Sequence, residues 1–197
     1  MTINKIRTQQ AEQQRKQKRK TILFLLSVIV GIAGLFSIVF WQTYRPFTGT
    51  KIQVSANWQA HVEEGTDPGP YTSNPPSSGR HFGKDFDQGF YEATDPQTQL
   101  AYPEGYLLHN LEHGYVVFWY NCELLDDIFC ETLKTQIREV MQKENNDELI
   151  AFPWNGTKTP LVMTSWGYLL EFDNFDQSLV QRFIRTNRNR SPESHAE

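Results

Sequence analysis

Five histidines and two cysteines carry most of the chemistry available to this 197-residue chain. His109 and His113 bracket the string HNLEHG, residues 109–114, and His81 ends the string PPSSGRH, residues 75–81. On a helix, side chains four apart share a face at about 6 Å, a chelating distance. On a strand the same spacing separates them by about 13 Å, too far for one ion. The sequence therefore predicts a single helical turn over 109–113, ended by Gly114 in a left-handed conformation. His81, His109 and His113 then make a candidate metal set for copper, zinc or iron, with Glu112 or Met163 as accessory donors. A plainer reading has each imidazole cap a loop or bond a backbone carbonyl, and a third assigns them acid–base work. His61 and His195 have no supporting context.

HNLEH also satisfies the inverted-zincin pattern H-x-x-E-H, in which Glu112 would be the general base of a metal-dependent hydrolase. That motif works on a long helix, whereas Gly114 and an apolar run follow here at once. P-loop, GxGxxG and GxSxG strings are absent from the sequence, so nucleotide and α/β-hydrolase chemistry lack support.

Cys122 and Cys130 are the two cysteines. Eight residues along one continuous helix would hold them about 12 Å apart, beyond the roughly 7 Å limit for a bridge. A disulfide therefore requires the chain to turn between them, with Asp126 or Asp127 capping a helix that begins just before Cys130. Two free or metal-binding thiols are the alternative, and the spacing is not CxxC.

Charge is sharply segregated. Residues 1–20 hold seven basic residues and one acid, net +6, and the remainder is net −10, giving the overall −4. A basic tip on an acidic body excludes a general nucleic-acid binder. The uncharged stretch Thr21–Trp41 is long enough at about 1.5 Å per residue to cross a hydrocarbon core of about 30 Å. Trp41 and Tyr44 stand where an interfacial aromatic belt would lie, and the basic flank puts the N-terminus in the cytoplasm. This predicts a single-pass cell-membrane protein with an uncleaved signal-anchor. Residues 1–20 form a basic cytoplasmic tail, disordered or weakly helical. Residues 42–69 are a linker, 70–190 an extracytoplasmic domain, and 191–197 a polar tail. The expected partners are the membrane and other membrane proteins.

The elements that must position the histidines follow from pattern. Residues 42–106 are rich in Pro, Gly, Ser and Asp, with one short strand near Lys51–Ala56. Tyr115–Tyr120 reads as a buried strand. A helix covers Ile128–Lys143 on the spacing of Phe129, Leu133, Ile137, Val140 and Met141. Strands follow at Glu148–Phe152, Leu161–Trp166 and Tyr168–Phe172, with a turn over Pro153–Gly156. Asp176 caps a last helix whose apolar face is Leu179, Val180, Phe183 and Ile184. The fold class is α+β, with helices packed on one face of a mixed sheet.

At these motifs the chain resembles the bacterial family known as domain of unknown function 3105. That family is similar in carrying a membrane anchor, a PP-T/S-S-G-x-H motif, HNLEHG running into an apolar strand, and S/A-W-G. The corresponding residues are Pro75, Pro76, Ser77, Ser78, Gly79 and His81; His109 to Gly114; and Ser165, Trp166 and Gly167. Arg80 departs from the small residue or proline expected there. The resemblance covers about 70–190 and implies an anchored single domain rather than any particular reaction. The functional expectation is thus a membrane-tethered metal-binding module. Its rivals are a non-catalytic interaction or assembly domain with architectural histidines, and a metal-dependent hydrolase.

Overall fold

A computed structural model describes residues 2–43 and 45–194, with side chains described for 15–40 and 45–194. Tyr44, His195 and the ring of Trp41 lie outside the described residues. The chain divides after Pro46 into two compact units. The first is one helix, α1, over Thr2–Thr43. Its stretch Arg15–Phe40 is long and apolar enough to cross a membrane and is exposed throughout. The basic N-terminal segment, expected to be disordered or weakly helical, continues the same helix, because Gln, Glu, Lys and Arg are all good helix formers.

The second unit is α+β. Its elements are β1 (Thr50–Lys51), β2 (His61–Val62), β3 (His81–Phe82), β4 (Gly89–Phe90), α2 (Glu104–Glu112), β5 (Val116–Tyr120), α3 (Asp127–Lys143), β6 (Leu149–Pro153), β7 (Leu161–Ser165), β8 (Tyr168–Phe172) and α4 (Gln177–Asn187). Six strands form a mixed sheet in the order β1-β8-β7-β5-β6-β4. β6 is parallel to both β5 and β4, while β7 pairs antiparallel with β5 and with β8. β2 and β3 form a separate parallel pair.

Alternation along β5 explains the layers. Val116, Phe118 and Tyr120 point into one core with Leu133, Ile137, Val140, Val180, Phe183 and Ile184 of α3 and α4. Val117 and Trp119 point into the other, with Leu107, Leu108 and Leu111 of α2 and the aromatics Phe82, Phe86 and Tyr91. The sheet is therefore buried on both faces, which corrects the expected packing of helices on one face alone. α2 and the proline-rich segment cover the second face. The stretch expected to be linker also contributes: β1 pairs with β8, and β2 pairs with β3.

Asp126 caps α3 by accepting from the Phe129 amide at 2.9 Å. The turn before it brings the Cα atoms of Cys122 and Cys130 to 5.2 Å, and the two sulfurs are bonded. The bridge closes an eight-residue step between strand end and first helical turn. Replacing both cysteines with serine should lower stability by about 2–3 kcal/mol, the loop-closure value for so short a ring. Denaturant unfolding of the full chain in detergent, followed by tryptophan fluorescence, measures it. Unchanged stability, or two alkylatable thiols before reduction, would refute the clamp.

Candidate metal centre

Residues 109–112 of the string HNLEHG are the C-terminal part of α2, a nine-residue helix. Sequence reading placed only one turn there. α2 is buried on nearly every side, through Gly105, Tyr106, Leu107, Leu108, Asn110, Leu111 and Glu112. A helix without a polar face leaves no amphipathic period to detect. Asn110 is fully buried and clamps the neighbouring loop: its Oδ1 accepts from the Phe86 amide at 3.0 Å and its Nδ2 donates to the Phe86 carbonyl at 2.9 Å. His113 ends the helix and Gly114 follows at φ +102°, a left-handed turn that favours glycine. The residues after α4 then close over this turn. The Asn189 amide donates to the Gly114 carbonyl at 2.9 Å, and the Glu112 carbonyl accepts from Ser191 Oγ at 2.5 Å and from the Glu193 amide at 3.1 Å. Ser191 and Glu193, expected in a free polar tail, thus satisfy an orphan carbonyl at a helix C-terminus.

Two further histidines arrive on the small sheet. The β2–β3 register sets His61 opposite His81. Register partners on parallel strands point to the same face, and the two imidazole centroids lie 4.8 Å apart. The loop leading to His81 is docked on the main sheet, since the Gly167 amide donates to the Ser77 carbonyl at 2.9 Å. Trp166 stands edge-on to His81 at 6.3 Å and to Trp58 at 5.4 Å, walling that side of the cluster.

The donor atoms converge. His61, His81, His109 and Glu112 each bring one ligand atom, all within 4.8 Å of one another. Glu112 Oε2 lies 2.8 Å from His81 Nε2, 3.8 Å from His61 Nε2 and 3.9 Å from His109 Nδ1. A tetrahedral ion with bonds near 2.0–2.1 Å has ligand–ligand edges of about 3.3 Å, in the middle of this range. Three imidazoles and a carboxylate suit zinc or copper(II) rather than copper(I), which prefers sulfur.

The hydrogen bonds around the ring select tautomers. His81 Nδ1 lies 2.9 Å from the Gly79 carbonyl, which only accepts, so Nδ1 carries a proton and Nε2 faces Glu112. His109 Nε2 lies 3.1 Å from His113 Nε2, while its Nδ1 is buried without a hydrogen-bond partner and faces the carboxylate. With Nδ1 free to ligate, His109 donates from Nε2 to His113. His81 and His109 thus both have their second nitrogen held by an outer group, as metal ligands do.

His113, one of the three expected ligands, lies outside the four-donor grouping, with its Nε2 3.1 Å from His109 Nε2. It sits 4.6 Å ring to ring from His109 and forms a second grouping with Glu112 and Glu193. Met163 is corrected outright. It pairs with Phe118 across β5–β7 and lies in the α3/α4 core, on the opposite sheet face from Val162 and Thr164. One-residue alternation decides this, so it cannot reach the histidines. His61 carries no signal in the sequence because a two-residue strand leaves no pattern; only its pairing with His81 reveals it.

Electrostatics follow from burial and crowding. Burial pushes the Glu112 carboxyl up, but the hydrogen bond from His81 and the nearby His81, His109 and His61 outweigh it, and the net shift is downward. His109 is pushed down to about 4, first by burial and then by His113, His81 and His61, against the opposing pull of Glu112. Between about 6.5 and about 4 the unfolded chain binds a proton that folded His109 refuses. Metal-stripped protein should therefore lose stability as pH falls through that window, on the order of 1–3 kcal/mol. Denaturation midpoints against pH check this. His109→Asn should flatten the curve above pH 4.5, and a flat wild-type curve would mean that His109 titrates normally.

No curated protein and no solved structure matches the chain. A family model described as "Protein of unknown function (DUF3105)" matches residues 61–197, beginning at His61 and taking in the four donors, His113 and the disulfide. That match spans well over half of the sequence, and the chain accordingly belongs to the DUF3105 family.

Proposed function

We propose that this protein is a single-pass membrane protein whose second unit, on the extracytoplasmic side, binds one zinc or copper(II) ion through His61, His81, His109 and Glu112. The observation that carries the reading is His109 Nδ1: a buried nitrogen with no hydrogen-bond partner, facing three other donors. Leaving such a group unsatisfied costs about 1–3 kcal/mol, and a metal ion relieves that cost. The +6 segment before the apolar stretch supports a cytoplasmic N-terminus. The bonded cysteine pair supports an oxidising compartment for the domain. The role that fits is metal handling at the membrane, or support of a neighbouring membrane complex.

A second reading, an interaction domain with architectural histidines, draws on the His81–Glu112 bond, in which a second proton, on His81 Nε2, satisfies both groups without an ion. It leaves His109 unexplained. The hydrolase reading requires Glu112 to face an open cleft as a base, whereas its carboxylate is buried against His81.

Metal analysis of the purified full chain should find one equivalent of zinc or copper. His81→Ala and His109→Ala should abolish binding. His113→Ala should keep the stoichiometry and weaken affinity about 10–100-fold, as loss of an outer-shell partner does. A wild-type chain that binds neither metal at micromolar concentration would sink the proposal. For orientation, protease added to spheroplasts should digest the second unit and spare the N-terminal tail; a protected second unit reverses the topology.

A further inference from the structure

The four donors are not equivalent. The side chains of His81 and Glu112 are 0% and 3% exposed, and that of His109 is 14%, whereas that of His61 is 51% exposed. Of the three less exposed groups, His81 is held from behind by the Gly79 carbonyl and His109 by His113, while Glu112 bonds His81 within the cluster. Among the described residues, no hydrogen bond holds either nitrogen of the His61 ring. Its strand is nevertheless fixed. Glu64, three residues on, accepts from Tyr106 Oη at 3.0 Å and pairs with Lys84 at 2.8 Å. The backbone at His61 is pinned, while its ring touches His81 and His109 on one side and faces solvent on the other.

We infer that His61 is a detachable ligand, and that its coordination position is where a metal-donating or metal-accepting partner inserts a donor side chain of its own. This rests on the metal-binding reading above. The exchange is a ligand substitution: the lone pair of the incoming nitrogen or sulfur donor bonds the ion as the bond from His61 Nε2 breaks. The imidazole leaves neutral with its electron pair, and the ion keeps its charge. His81, His109 and Glu112 hold the ion while this one ligand changes, so the exchange does not release it to water. A closed structural zinc site keeps four protein ligands throughout; here one of the four stands half exposed.

Chemical rescue in the full chain in detergent tests this, with cobalt(II) as a visible reporter of coordination and free imidazole as a surrogate for the incoming donor. His61→Gly should still bind one cobalt ion, at least tenfold more weakly. Millimolar imidazole should restore both the affinity and the wild-type absorption bands. His81→Gly should not be restored, because that side chain is 0% exposed; His109→Gly is the control if His81→Gly fails to fold. Rescue that is absent at His61, or equal at buried positions, overturns the exchange role while leaving the metal site standing. Failure of the wild-type chain to bind cobalt, zinc or copper removes both.

Discussion

A carboxylate that is only 2% exposed must be compensated where it sits, because an isolated buried charge is too costly to keep. Glu112 sets this demand at the end of α2, and much of the second unit is arranged to meet it. His81 answers at 2.8 Å, which requires the PPSSG loop to approach α2 closely and hold a fixed path. That loop is in turn pinned to Gly167, immediately after the tryptophan that shields His81. The carbonyl of Glu112 is satisfied separately by Ser191 and Glu193. Three segments far apart in sequence are thereby linked to one residue, and three imidazoles gather round its side chain.

The long proline-rich stretch is the other constraint. Such a segment makes few ladder hydrogen bonds, yet its buried backbone groups still need partners. Side chains supply them. Asn110 takes both polar groups of Phe86, Asn74 donates to the Gly156 carbonyl at 2.8 Å, and Tyr120 Oη donates to the Tyr91 carbonyl at 2.7 Å. Trp154 and Thr72 extend the same lacing to Asn74 and to the Gln53 carbonyl. The stretch is thus a fitted cover for the second sheet face. Aromatic stacking of Phe86 on Tyr106, with centroids 4.7 Å apart, adds the apolar half of that fit. A rigid cover and a sheet buried on both faces give the histidines a firm base on every side except that of His61.

Much of this was legible in the residue order because it depends on local physics. The uncharged apolar stretch, the capping aspartates of α3 and α4, the periodicity of α3, and the β-branched run of β5 each follow from spacing within a few turns or pleats. The same holds for the turn between the cysteines and for the left-handed glycine after HNLEH. The motif spacing also marks His81, His109 and His113 as chemically special, with Glu112 beside them.

Tertiary structure alone decided the rest. His61 joins the donors through a two-residue parallel pairing, which has no local signature. Met163 lost its assigned role because burial on both faces hides which side of β7 meets the histidines. The first half of α2 escaped notice since a helix enclosed all round shows no amphipathic period. His113 and His109 share a helical face, as their spacing required, yet which of them faces Glu112 is set by the loops packed around α2. Sequence thus determined which residues can do chemistry and which local shapes carry them. Long-range packing decided which donors meet, since register, sheet face and loop docking are properties of contacts between segments and not of any one segment.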